Sequence, residues 1–324
     1  MVLLMVAIGG VTRLTHAGLS ITEWKPIVGV IPPTSQEAWL LEKRKYERTP
    51  EYRHNTTGIS LQDFKRIYMI EYLHRLFGRI LGAVFCVPML YFFIRKKIKR
   101  GMAAKLLIVA LLGGVQGVMG WFMVKSGLVD VPRVSHYRLA AHLFLAILLF
   151  SILWHSFLRC VTVHGTLEAT RIRMFATSAA IVLVVLQMIL GALVAGLGAG
   201  LTYNTFPTMD GMLIPRSLFS AELWRGEFLR DATAVQFLHR LVAVIIAVYA
   251  ALLPFCIKTR GALLFLVCVV LQFLLGVVTL VSVVNIYLAV MHQVLGFVVL
   301  AAGVYMLCEL RPKEACILQG IGVP

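Results

Sequence analysis

The chain is a succession of long apolar runs separated by short basic loops. Eight runs can be read, at roughly 1–14, 69–94, 103–124, 138–158, 174–197, 234–257, 261–284 and 287–308. Most hold about 20 residues, the length a helix needs to cross the ~30 Å hydrocarbon layer of a bilayer. The chain has 324 residues, 60% of them hydrophobic and 14% charged, with a mean hydropathy of +0.87. A soluble fold of this size cannot bury that much apolar surface. The expectation is an all-α polytopic membrane protein with eight transmembrane helices. The first run, about a dozen residues, is shorter than a span requires, so the reading expects a first helix that begins before this stretch. It has neither the basic start and cleavage site of a signal peptide nor the Arg- and Ser-rich character of a transit peptide. The second run reads as the end of a longer helix, because Ser60 followed by Asp63 resembles an N-terminal cap.

The net charge of +16 sits largely in the loops. Arg95, Lys96, Lys97, Lys99 and Arg100 follow the second run, and Arg159, Arg171 and Arg173 follow the fourth. Lys258 and Arg260 follow the sixth, and Arg311 and Lys313 the eighth. Bases in alternate loops mark the cytoplasmic side, which places both termini inside. That distribution explains the charge without nucleic acid as a partner. Two long loops, 15–68 and 198–233, then face outward. In the first, Thr34-Ser35-Gln36-Glu37 reads as a capping box for a short helix through about Arg48, after the break at Pro32-Pro33. Asn55-Thr56-Thr57 fits a glycosylation sequon of the kind that arises by chance. The cysteines are Cys86, Cys160, Cys256, Cys268, Cys308 and Cys316. None lies in a long loop and no Cys-x-x-Cys occurs, which argues against a disulfide framework, a zinc site or an iron–sulfur cluster.

The runs repeat. Glu71-Tyr72-Leu73-His74-Arg75 is echoed by Gln236-Phe237-Leu238-His239-Arg240, and each copy is followed two runs later by another histidine, His142 and His292. Gln116-x-x-x-Gly120 matches Gln272-x-x-x-Gly276, and Gln187-x-x-x-Gly191 has the same form. Such glycines and glutamines read first as helix packing. The halves run in the same direction, so the expected architecture is two pseudo-symmetric four-helix bundles forming a parallel repeat, residues 1–165 and 166–324.

A histidine inside a membrane is costly without a partner. Four at matching positions, all near the outer ends of their helices, point to heme iron held by two imidazoles in each half: His74 with His142, and His239 with His292. His16, His54, His136, His155 and His164 lie near ends or in loops and have no counterpart. Glu71 lies three residues before His74, on the same helix face. Its counterpart, Gln236, cannot ionise. The asymmetry points to a reactive site in the first half and an electron-relay heme in the second, against the simpler reading of a salt bridge from Glu71 to Arg75 or Arg79. Arg75, Arg138 and Arg240 are placed to pair with heme propionates, or equally to snorkel from helix ends.

Together these residues resemble the heme A synthase family, in the form shared by alphaproteobacteria and mitochondria. The resemblance rests on Gly9-Gly10-Val11-Thr12-Arg13-Leu14-Thr15, Gly18-Leu19-Ser20, Pro32-Pro33-Thr34-Ser35-Gln36-Glu37 and the first histidine pentapeptide. It continues through Trp121-Phe122-Met123-Val124-Lys125-Ser126-Gly127-Leu128, Val131-Pro132-Arg133-Val134-Ser135 and Tyr137-Arg138-Leu139-Ala140-Ala141-His142. In the second half Ala199-Gly200-Leu201, Tyr203-Asn204, Phe206-Pro207, the second pentapeptide and His292-Gln293 fit.

The resemblance implies oxidation of the position-8 methyl of heme O to the formyl of heme A by successive hydroxylations, for cytochrome oxidase. It implies a heme b cofactor on His239 and His292, with Arg240 beside it. Substrate heme would lie near His74, His142, Arg75 and Arg138, with Glu71 catalytic, stabilising a carbocation or moving a proton. Implied partners are membrane lipid, a heme O synthase and an electron donor, ferredoxin or quinol. The implied location is the bacterial cytoplasmic membrane, with the mitochondrial inner membrane second. Loop 15–68 lacks the cysteine pair that some bacterial relatives carry. The rival readings are a diheme b-type electron carrier that leaves its heme unmodified, and a transporter built on a parallel repeat.

Overall fold

A computed structural model describes residues 1–24, 28–127, 134–161, 167–220, 223 and 226–310. Leu128, the Val131-Pro132-Arg133 stretch, His164, the expected boundary at 165, Arg311, Lys313 and Cys316 lie outside the described residues. Among those described, the regular structure is helical, with one isolated bridge between Met209 and Met212. The α-helices are α1 (Val2–Leu14), α2 (Gln36–Tyr46), α3 (Pro50–Asn55), α4 (Leu61–Ile94), α5 (Arg100–Gly127), α6 (His136–Cys160), α7 (Arg171–Leu197), α8 (Ala232–Cys256), α9 (Arg260–Val281) and α10 (Ile286–Glu309).

Seven of these, α4 to α10, are long and apolar enough to cross a membrane. The eighth expected span is α1, whose 13 residues extend about 20 Å at 1.5 Å per residue, short of the bilayer core. Long apolar side chains stand exposed along the spans; Val84, Val87, Leu90, Phe93 and Ile94 do so on α4 alone. Such a surface suits a lipid environment.

Polar side chains at the ends decide where the helices start. Ser60 accepts from the Asp63 N–H at 3.0 Å and opens α4; Ser35 does the same for Ala38 and opens α2. Thr170, Asp231, Thr259 and Asn285 cap α7 to α10. Both expected caps in the first long loop therefore form, and α4 is indeed longer than its apolar run. The short α3, capped by Thr49 with Pro50 in its first turn, was not anticipated.

The chain divides into two compact units, Met1–His142 and Leu143–Pro324, so α6 begins in the first and continues in the second. In the first unit α1 and α5 both pack on α4. The N-terminal third of α4 carries an aromatic cluster: Phe64, Tyr68 and Tyr72 are buried with Tyr46 and Ile21, and Trp39 packs against them. The Tyr46 and Phe64 rings lie 5.4 Å apart, and Trp39 meets Tyr68 edge-on at 5.1 Å. This cluster folds the outward loop onto the helix that carries His74. In the second unit α7 packs on α8, α8 on α9, α9 on α10, and α10 back on α7, which closes a four-helix bundle. The α9–α10 approach requires glycine: a Cβ at Gly261 would lie 2.9 Å from the Met306 Cα. The Gly261 N–H instead donates to the buried Glu309 carboxylate at 2.8 Å.

Candidate functional site

Each of the four repeat histidines lies against a glycine of a neighbouring helix. A Cβ at Gly9 on α1 would come 3.5 Å from His74 Nε2, and one at Gly120 on α5 would come 3.5 Å from His142 Cε1. In the second unit a Cβ at Gly191 on α7 would meet His239 Cε1 at 3.3 Å, and one at Gly276 on α9 would meet His292 Cε1 at 2.8 Å. The glycines let an imidazole lie directly on helix backbone.

One turn before three of these glycines stands a glutamine. Gln116, Gln187 and Gln272 point Nε2 at the Nε2 of His142, His239 and His292, at 3.4, 3.3 and 3.5 Å. Glutamines in this pattern predict helix packing; these reach the histidines as well. Among the described residues the buried Nδ1 atoms of His142, His239 and His292 have no hydrogen-bond partner. A buried ring nitrogen without a partner calls for an explanation. A bound metal would supply one, and these imidazoles would suit heme iron, for which the porphyrin provides most of the donors. No group of three or more His, Cys, Asp or Glu side chains able to hold a metal occurs among the described residues.

Glu71 is 2% exposed. Its Oε1 accepts from Arg75 Nη2 at 2.7 Å and Nε at 3.0 Å; its Oε2 accepts from the Ser20 hydroxyl at 2.7 Å and the Ile21 N–H at 2.8 Å. The salt bridge held open in the sequence reading is thus present, with Arg75 as the partner. Arg75 also donates to the carbonyls of Ile21 and Glu23 and lies over the Trp24 ring. The pair therefore fastens residues 20–24 to α4. Lys45 on α2 joins the same loop through Glu23 at 3.1 Å, and its hydrogen bond to Glu42 raises its pKa above the ordinary lysine value.

The second unit repeats this fastening without the carboxylate. Gln236 donates to the Tyr203 carbonyl at 2.9 Å. Arg240 donates to the carbonyls of Tyr203, Thr205 and Thr208 at 2.8, 2.8 and 3.3 Å. Arg75 and Arg240, expected beside propionates, are both committed to loop carbonyls here. Arg138 donates to the Phe122 carbonyl and lies over the Phe122 ring at 3.8 Å.

Sequence reasoning missed Ser20, Ile21, Tyr203 and Thr205 as partners. A signal was available. Ala17-Gly18-Leu19 and Ala199-Gly200-Leu201 are the same tripeptide, and both form 3-10 turns after a left-handed residue, His16 or Gly198. Ala17 stands to Ala199 as Gly9 stands to Gly191, so the repeat extends through α1 and α7.

A family model described as cytochrome oxidase assembly protein, COX15-CtaA, matches residues 1–304. The chain belongs to this family. A protein named heme A synthase from Anaplasma marginale (strain St. Maries) is 72% identical over 320 residues, 99% of this chain and 94% of that protein. Proteins of the same name from Wolbachia pipientis wMel and Ehrlichia canis (strain Jake) are each 45% identical. Those matches cover 97% and 94% of this chain, and 90% and 89% of the relatives. The resemblance drawn from the motifs thus holds over nearly the whole length.

Proposed function

We propose that the chain is a heme A synthase, oxidising the position-8 methyl of heme O to the formyl of heme A for cytochrome oxidase. The observation that carries this reading is a pair of repeated imidazole sites, each backed by glycine, of which one alone has a buried carboxylate three residues from its histidine. The identity to proteins named heme A synthase supports it over nearly the full length.

In this reading the architecture is two four-helix bundles in a parallel repeat, with α1 completing the first. His74 and His142 hold the iron of the substrate, heme O. One hydroxylation replaces a methyl C–H by C–OH; a second gives a geminal diol, which loses water to leave the formyl group. Each hydroxylation takes two electrons from the methyl carbon and adds one oxygen atom: with dioxygen as oxidant the donor supplies two further electrons and the second oxygen atom leaves as water, and with water as the oxygen source the two electrons pass to an external acceptor. His239 and His292 hold heme b, which supplies one-electron transfer when bound. Glu71 meets the positive charge or the proton that develops at the methyl carbon. Its two oxygens are held by Arg75, Ser20 and Ile21, so it acts from a fixed position. Arg138, one turn before His142, serves a propionate, whereas Arg75 and Arg240 act through the loops they hold. The protein works in a bacterial cytoplasmic membrane with loops 15–68 and 198–233 outward, beside a heme O synthase and a ferredoxin or quinol donor.

The test is expression with a heme O supply, followed by extraction and chromatographic separation of the hemes. Heme A is expected from the intact chain. Recovery of unmodified heme alone, with the electron donor present, would favour the diheme electron carrier.

A further inference from the structure

The four histidines are not held alike. Gln187 and Gln272 each make a second contact: Nε2 donates to the main-chain carbonyl of the very histidine it faces, at 3.0 Å for His239 and 2.9 Å for His292. That bond fixes the histidine backbone against the neighbouring helix. It does not involve the ring, so it persists whichever ring nitrogen binds a metal. Gln116 has no such tie among the described contacts; its amide meets only the His142 ring, at 3.4 Å. A contact to Nε2 competes with iron if that nitrogen is the ligand. At His74 even this is missing. Met5 stands one turn before Gly9 as Gln187 stands before Gly191, and it has no amide. Its methyl lies instead against Gly78 of α4. Among the described residues no hydrogen-bond partner meets the His74 ring.

The gradient runs from two tied histidines in the second unit, through one ring contact at His142, to none at His74. We propose that Gln187 and Gln272 are positioning residues that make the second pair a retaining heme site, and that their absence as backbone ties makes the first pair an exchanging site. A resident cofactor needs slow release; a substrate that leaves as product needs the opposite. This inference rests on the proposed heme reading and adds to it the residues that set residence time. It also separates the two sites by a device independent of the Glu71 and Gln236 difference.

The experiment measures transfer of heme from the purified, detergent-solubilised protein to excess apomyoglobin, with the low-spin electron paramagnetic resonance signal recorded in parallel. Gln187→Leu and Gln272→Leu keep the side-chain volume and remove the amide. Each is expected to speed heme loss from the second unit about 10- to 100-fold, the usual effect of losing a group that orients a metal ligand. Each should also shift the g values, which a purely packing role would leave in place. Met5→Gln supplies the missing amide at His74 and is expected to slow release from the first unit, raising heme retained per chain; Met5→Leu should not. This second arm keeps the proposal exposed should the glutamine variants fail to fold. Wild-type release rates and g values in both glutamine variants, or no gain in Met5→Gln, would overturn it. His239→Ala serves as the control. If it too leaves the low-spin heme intact, the heme reading itself fails; if it removes the heme while the glutamine variants match wild type, this inference alone fails.

Discussion

At the scale of single residues, the carboxylate of Glu71 does two things at once. It anchors Arg75 and the Ser20–Ile21 backbone, and in the proposed function it faces the substrate. The second unit separates the two tasks, because Gln236 and Arg240 hold their loop with no carboxylate at all. Glu71→Gln is therefore a change the architecture already tolerates at the equivalent place. We expect it to lower heme A formation about 100-fold, in the range of lost acid–base help, while the heme of the second unit remains. Chromatography of extracted hemes checks the first outcome and the reduced absorption spectrum the second. Arg240→Leu removes the donor from three loop carbonyls and is expected to cost about 3 kcal/mol, read as a lower thermal midpoint with faster proteolysis between α7 and α8. Lys45 gives a pH dependence of known sign. Its raised pKa means that its link to Glu42 and Glu23 stabilises the loop below the ordinary lysine pKa and is lost as pH rises through the higher folded value. Protease resistance of loop 15–68 should thus hold at neutral pH and fall only under strongly alkaline conditions.

At the scale of elements, the histidine positions depend on the bare helix surface opposite them. Gly276→Ala would set a methyl 2.8 Å from His292 Cε1, inside van der Waals contact, so the ring must move. The expected result is loss or displacement of the low-spin heme signal. Gly113→Ala on α5, where an added Cβ meets nothing within 4 Å, should leave spectrum and stability unchanged. The four histidines and the Glu71 and Gln236 contrast were legible in the sequence because each repeats at a matched position. The caps at Ser35 and Ser60 were legible because a side chain and its backbone partner lie within one turn. The glutamine ties and the loop latches were not. They join residues on different helices, and a motif such as Gln187-x-x-x-Gly191 does not say which histidine it will meet. The loop contacts of Arg75 and Arg240 were illegible for the same reason: the carbonyls that accept from each guanidinium have no sequence signature.

At the scale of the whole molecule, the proposed function is a division of labour between the two units. A diheme carrier would use both imidazole pairs alike and has no need of a buried carboxylate in one of them. In the proposed function the second pair is instead a resident heme site and the first a place of chemistry. The short α1 fits this picture as the partner of α4 that brings Gly9 to His74, whatever depth it reaches in the bilayer. Its match in the second unit, α7, is a full-length span carrying Gly191 and Gln187. The measurement that bears most directly on the division is the low-spin heme spectrum of the purified protein after single histidine substitutions. His239→Ala and His292→Ala are each expected to abolish it, while His74→Ala and His142→Ala keep most of it and instead stop heme A formation. Survival of that spectrum in His239→Ala with its loss in His74→Ala would contradict the account.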